Sequence, residues 1–102
     1  MSQWVMAAEL SGCPPGNLLG VRVEDNAVVI ANVNGDLYAL RDVCSHQDFP
    51  LSDGEMDGTE IECIYHGAKF DVCSGRATGL PAIAPVKTYN VEVRDGEIFV
   101  QI

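Results

Sequence analysis

The sequence predicts an all-β fold, and three observations carry that prediction. Apolar residues recur with period two or in short bursts, at Leu18 to Val23, Ala27 to Asn32 and Leu37 to Leu40. Turn-forming pairs punctuate them: Asn34-Gly35, Asp53-Gly54, Asp57-Gly58, Ser74-Gly75 and Asp95-Gly96. Only Ala7-Ala8-Glu9-Leu10 reads as helical, and one such turn is too short to stand alone. The 102 residues suffice for a single domain with one core and are too few for a nucleotide-binding domain plus a substrate domain.

In chain order, the helical turn is broken by Ser11-Gly12-Cys13-Pro14-Pro15-Gly16. A strand follows at Leu18 to Val23 and turns at Glu24-Asp25-Asn26. The run Val28 to Val33 then returns through Asn34-Gly35 into Leu37 to Arg41, and Tyr89 to Arg94 returns through Asp95-Gly96 into Glu97 to Ile102. Alternation in the latter hairpin puts Tyr89, Val91 and Val93 on a core face and Asn90, Glu92 and Arg94 on a wet one. Trp4 and Phe99 are expected as core aromatics of the terminal strands, and Tyr38 as a partly buried strand residue. From about Asp42 to Ala84 the strands shorten and Gly, Asp, Pro and Ser become dense. Both histidines and three of the four cysteines lie there.

Charge narrows the function. Six Lys and Arg against fifteen Asp and Glu give a net charge of -9, which disfavours a phosphate backbone as partner, so no nucleic acid is expected. Hydrophobic residues at 47% and charged ones at 21% match an ordinary globular protein. No run approaches the roughly 18 apolar residues of a spanning helix, so no membrane partner is expected. The segment Met1 to Met6 resembles neither a secretory signal nor a transit peptide, which makes the cytoplasm the expected compartment. Cysteines there seldom form disulfides, so four of them suggest metal first.

The chemistry concentrates in two short pairs, Cys44-Ser45-His46 and Cys63-Ile64-Tyr65-His66, with sixteen residues between them. Each pair is followed by loop formers (Asp48, Pro50, Ser52, Asp53 and Gly54; then Gly67), so two loop tips could close over one centre of two thiolates and two imidazoles. Any one of these residues alone reads as an ordinary core cysteine or surface histidine. The four together do not, because each of the two histidines stands at ligand spacing from a cysteine. Structural zinc accepts this donor set, but common zinc sites pair Cys with Cys and His with His on separate elements.

The pattern C-x-H-x16-C-x2-H resembles the motif of Rieske-type 2Fe-2S proteins, in which two cysteines hold one iron and two histidines the other. Leu51-Ser52-Asp53-Gly54, Asp57-Gly58, His66-Gly67-Ala68-Lys69-Phe70-Asp71, Ser74-Gly75, Leu80-Pro81 and the closing hairpin extend the resemblance to the small Rieske ferredoxins of bacterial ring-hydroxylating dioxygenase systems. The resemblance implies a single domain over residues 1–102, with layered antiparallel sheets forming a β-sandwich and a two-loop cluster-binding region at about 42–84. It implies Cys44, His46, Cys63 and His66 as ligands of one 2Fe-2S cluster, with the imidazoles toward the surface. It further implies a one-electron carrier rather than an enzyme, taking electrons from a flavin-containing NAD(P)H reductase and giving them to a terminal oxygenase, with no small-molecule substrate of its own. A small subunit of a larger oxidoreductase, such as a nitrite reductase, and a structural zinc module are the alternatives.

Two ferric ions, two sulfides, two thiolates and two neutral imidazoles sum to zero charge, so an added electron makes a monoanion. A four-thiolate cluster starts as a dianion. The family range is therefore about -150 to +300 mV, against about -400 mV for plant-type ferredoxins. In the high-potential members a disulfide and Ser and Tyr hydroxyls support the cluster. Here the corresponding positions are Phe49 and Tyr65, Ala68, and Phe70. Lacking those donors, this chain is expected near the bottom of the range, at about -150 mV.

Of the other candidates, Cys13 is expected to be an incidental free thiol and Cys73 a packed residue rather than a ligand. Phe49, Pro50 and Tyr65 could shield the cluster or meet a partner. Asp42, Asp48, Asp53, Glu55, Asp57, Glu60 and Glu62 flank the ligand loops as a solvated acidic face, part of which could steer a basic partner.

Overall fold

The computed structural model describes residues 3–43, 50–64, 67–79 and 84–102. Ten strands follow in chain order: β1 Trp4–Glu9, β2 Leu18–Val23, β3 Asn26–Val33, β4 Asp36–Arg41, β5 Glu55–Asp57, β6 Glu60–Glu62, β7 Lys69–Asp71, β8 Ala77–Gly79, β9 Thr88–Arg94 and β10 Glu97–Gln101. They form a six-stranded sheet in the order β1-β10-β9-β4-β3-β2 and a four-stranded sheet in the order β5-β6-β7-β8. All pairings are antiparallel. Among the described residues no helix is long and apolar enough to cross a membrane.

The longer sheet folds back so that β1 lies against β2, and this produces two cores. β3 is buried on both faces. Val28 and Ile30 join Cys13, Val23, Ala39, Ile98 and Val100 in one core, while Val29 and Ala31 join Leu40, Leu51, Ile61, Cys63, Ala68, Phe70, Val72 and Val86 in the other. A strand clothed on both sides reads as a continuous apolar run, which is why Ala27 to Ala31 carries no alternation. The layering is thus β1-β10-β9, then β2-β3-β4, then β5 to β8, with apolar side chains filling both gaps.

Three hairpin turns carry both central residues at positive φ: Glu24 and Asp25 (50° and 69°), Asn34 and Gly35 (54° and 100°), and Asp95 and Gly96 (50° and 78°). That geometry matches the right-handed twist of the strands it joins. Asn26 begins β3 instead of completing the turn. Its side-chain amide donates to the Val23 and Glu24 carbonyls at 3.2 and 3.1 Å and supports two non-glycine residues in the left-handed region.

The structure corrects several expectations. The Ala7-to-Leu10 segment is not helical: β1 runs to Glu9, and a 3-10 turn occupies Leu10–Gly12. Pairing with β10 supplies the hydrogen bonds a lone helical turn would lack. A register shift between Met6 and Ala8 lets Val5, Ala7 and Ala8 all pack on the same core, so the Ala-Ala pair marks a bulge. Trp4 and Phe99 are not core residues. Ile98 and Val100 take the inward positions of β10, which leaves Phe99 outward beside Trp4, with the Arg94 guanidinium 5.1 and 5.6 Å from the two ring centroids. Glu92 pairs with that guanidinium at 2.7 Å, which holds its carboxyl below the usual carboxylate range. On β9, Tyr89 and Val91 face the core as expected, but Val93 lies near the turn and is 43% exposed. Tyr38 is half-buried, as expected.

Candidate functional site

Of the four expected ligands, Cys44, His46 and His66 lie outside the described residues, as do Phe49 and Tyr65. Cys63 is described, and its surroundings test whether a cluster suits the chain. It follows β6 and is 1% exposed, within the core formed by Leu51, Ile61, Ala68 and Phe70. Its amide donates to the Ala68 carbonyl at 2.7 Å, and its carbonyl accepts from Gly67 at 2.9 Å. Gly67, at φ 74°, lets the chain reverse so that residue 68 faces residue 63. The β6-β7 connection is thereby pinned at its base with its cysteine on the dry side. A soft sulfur in an apolar wall, with a second thiol and two imidazoles in the same two sequence loops, is a donor set that fits a 2Fe-2S centre. Ile64, next to Cys63, is 55% exposed, so burial changes abruptly at this cysteine.

The first loop is closed by a contact that sequence reasoning missed. Asp42, just after β4, accepts the Ser52 amide at 2.7 Å and the Ser52 hydroxyl at 2.6 Å. Ser52 belongs to the 3-10 turn Leu51–Asp53, whose Leu51 is fully buried. Gly20 on β2 lies under this clasp, where a Cβ would come within 2.7 Å of the Ser52 hydroxyl and 3.0 Å of an Asp42 carboxylate oxygen. Asp42 is therefore committed to the protein and is not part of a solvated acidic face.

Of the other acids expected on that face, Asp48 lies outside the described residues, Asp53 ends the 3-10 turn, and Glu55, Asp57, Glu60 and Glu62 lie on the four-stranded sheet. Met56, Ile61 and Phe70 point inward, and their neighbours Glu55, Asp57, Glu60, Glu62, Lys69 and Asp71 form the other side. Like charges stand opposite one another at Glu55 and Glu62, Asp57 and Glu60, and Glu60 and Asp71. Lys69 offsets part of this, 3.3 Å from Asp57 and 3.7 Å from Glu62. The Asp57 hydrogen bond and charge, with Glu62, hold its ammonium above the usual lysine range.

The remaining cysteines separate clearly. Cys13 is fully buried. Its thiol donates weakly toward the Asn17 and Ile30 carbonyls at 3.5 and 3.7 Å, and burial raises its pKa despite an Asn32 backbone hydrogen bond that lowers it. The adjacent Asn32 is a buried polar residue with its needs met: its amide donates to the Cys13 carbonyl and its oxygen accepts from Gly35, both at 2.8 Å. Cys73 is exposed, contrary to the packed position expected of it. The Asp71 amide donates to Arg76, Gly75 donates to Asp71, and the Ser74 hydroxyl donates to the Asp71 carboxylate, so a tight turn carries Cys73 at its tip. Iodoacetamide should alkylate Cys73 in the native protein and reach Cys13 only on unfolding, as mass spectrometry would read. Cys73→Ser should leave the visible spectrum unchanged. Among the described residues no three His, Cys, Asp or Glu side chains converge as a second metal site.

Comparison with known proteins agrees with this reading. The family model described as Rieske [2Fe-2S] domain matches residues 3–90. The ferredoxin component of the naphthalene 1,2-dioxygenase system of Pseudomonas aeruginosa is 37% identical over 100 residues, covering 98% of this chain and 96% of that one. The Sphingomonas yanoikuyae B1 ferredoxin superposes with a TM-score of 0.92 at 32% identity, covering 98% and 99% of the two chains. A chain from the complex of reduced oxygenase and oxidized ferredoxin in carbazole 1,9a-dioxygenase gives 0.88 at 36% identity, covering 95% and 91%. The family match and these near full-length likenesses define a small iron-sulfur electron-transfer protein. The chain belongs to the Rieske [2Fe-2S] family and is similar over nearly its whole length to ferredoxin components of dioxygenase systems. It carries a Rieske-type 2Fe-2S cluster and moves electrons without turning over a substrate.

Within that family the surroundings of Cys63 fit the low potential expected from the sequence. Ala68 and Phe70 are both fully buried beside Cys63, and neither side chain has a hydrogen to donate. A hydrogen bond to a charged acceptor contributes about 1.5–3 kcal/mol. At 59 mV per tenfold for one electron, that bounds the gain from one added hydroxyl at roughly 65–130 mV. Ala68→Ser and Phe70→Tyr should each raise the potential toward that bound in protein-film voltammetry. An unchanged or lowered potential in both would show that these positions do not reach the cluster.

Proposed function

We propose that this chain shuttles single electrons from a flavin-containing NAD(P)H reductase to the terminal oxygenase of an aromatic ring-hydroxylating system. Cys44 and Cys63 hold one iron of the cluster and His46 and His66 the other, within a single domain spanning residues 1–102. The observation that carries this reading is the near end-to-end likeness to dioxygenase ferredoxin components, joined to a buried Cys63 at the position the motif requires. When bound, the cluster accepts and releases one electron at moderate potential. The protein keeps the thiolate side dry with Leu51, Ile61, Ala68 and Phe70, and pins both loops at their bases through Asp42-Ser52 and Cys63-Ala68.

The acidic outer face of β5 to β7 speeds encounter with a basic partner surface. Cytoplasmic residence fits the exposed free thiol of Cys73. The test is iron and labile-sulfide analysis of anaerobically prepared protein, with EPR of its reduced form. A mixed histidine-cysteine cluster gives an average g below that of an all-cysteine one, with a potential near -150 mV. Colourless protein with zinc and no labile sulfide would defeat the reading.

A further inference from the structure

The chain has six cationic side chains, and three of them converge on one cleft. Arg22 of β2, Arg41 at the end of β4 and Lys87 before β9 line a polar hollow of about 370 Å³, with Val43 and Tyr89 on its walls. The backbone builds this convergence. The Arg41 amide donates to the Lys87 carbonyl at 2.8 Å, and the Asp42 amide donates to the Ala27 carbonyl at 2.9 Å, so the end of β4 is gripped from both sides. Lys87 is held with its ammonium 5.0 Å above the Tyr89 ring.

Among the described residues no carboxylate side chain forms an ion pair with these three cations. The ion pairs among the described residues involve Lys69 and Arg94, and none engages Arg22, Arg41 or Lys87, although fifteen carboxylates are available. Asp25 also lines the cleft, but Arg22 meets its backbone carbonyl, at 3.4 Å. Val43 immediately precedes Cys44 in the chain, so one wall of the cleft adjoins a proposed ligand in sequence.

We propose that this cleft is a docking key: it receives carboxylate side chains of the terminal oxygenase that the chain reduces. The inference rests on the carrier function proposed above. A free polyanion is repelled by a chain of net charge -9, whereas a carboxylate on a surface that is elsewhere basic is drawn in by the acidic sheet and then met by the cleft. Two patches of opposite sign fix the rotation of the partner, which a uniformly acidic surface cannot do.

The chain has two lysines, Lys69 and Lys87, which makes the test selective. Carboxylates of the terminal oxygenase that the ferredoxin reduces are activated with a carbodiimide, the reagent is removed, and oxidised ferredoxin is added. Peptide mapping should place amide cross-links at Lys87 and not at Lys69. In parallel, Arg41→Glu and Lys87→Glu should each raise the KM for ferredoxin about tenfold at low ionic strength, with kcat and the EPR spectrum unchanged, while Arg94→Gln, outside both patches, changes KM less than about twofold. Cross-links confined to Lys69, or wild-type KM values in both reversed variants, would overturn the proposal. So would protection of Lys87 by inorganic phosphate without any cross-link to the oxygenase, which would make the cleft a small-anion site. An EPR signal of the wrong type would instead defeat the carrier function itself, so the two failures are distinguishable.

Discussion

The double variant His46→Cys, His66→Cys is expected to assemble iron and labile sulfide but to be reduced only near -400 mV, about 250 mV below the potential of about -150 mV expected of the wild type. The cause is charge. Exchanging two neutral imidazoles for two thiolates turns a neutral oxidised centre into a dianion, and the incoming electron meets two more negative charges at bonding distance. Burial amplifies the penalty, because Cys63 and its neighbours Ala68, Phe70 and Leu51 form a wall from which water is excluded. Voltammetry measures the shift, and EPR should show the average g rising to that of an all-cysteine cluster. A potential left at the wild-type value would remove His46 and His66 from the ligand set. If the variant assembles no cluster, single replacements decide the assignment: Cys44→Ser and Cys63→Ser should lose the colour, and Cys13→Ser and Cys73→Ser should keep it.

The fold was legible where local chemistry decides it. Asn34-Gly35 and Asp95-Gly96 announce their hairpins because few residues other than Gly, Asn and Asp adopt positive φ at low cost. The two cysteine-histidine pairs point to a metal centre because cysteine and histidine at short spacing have few other uses, and of the four only Cys63 lies among the described residues. What escaped depends on contacts between distant segments. Trp4 and Phe99 are aromatic, and residue type suggested burial, but the face of a strand is set by pairing, and the inward positions belong to Ile98 and Val100. Asp42 looked like one more surface acid until Ser52, ten residues on, was found donating two hydrogen bonds to it. Arg22, Arg41 and Lys87 have no common motif, and only the antiparallel arrangement brings them to one cleft. A sequence pattern reports what a residue could ligate or how it turns, and it is silent about which of two faces wins.

Gly54→Ala is expected to destabilise the protein by about 2–3 kcal/mol and to speed iron loss to a chelator at least about tenfold, because Gly54 packs directly on the backbone of Glu62, the residue before Cys63. Its backbone angles, φ -86° and ψ -162°, suit any residue, so conformational freedom is not the reason for glycine. Space is the reason. A Cβ here would collide with the Glu62 carbonyl oxygen and sit 3.1 Å from that of Leu51. Both obstacles are backbone, which cannot rotate aside as a side chain could. Glu62 precedes Cys63, and Leu51 opens the turn that closes the first loop, so a methyl group at this seam pushes the loops apart where they must converge. Gly20→Ala meets side chains instead, the Ser52 hydroxyl and the Asp42 carboxylate. It should loosen the clasp with a smaller loss of stability. Gly58→Ala supplies the control: its φ is 64° with nothing within 4 Å of the added carbon, so it should cost roughly 1–2 kcal/mol through the backbone alone and leave iron retention unchanged. Urea midpoints and chelation rates, measured on the same three variants, separate the two effects. If Gly54→Ala and Gly58→Ala lose iron at the same rate, the seam does not govern cluster retention.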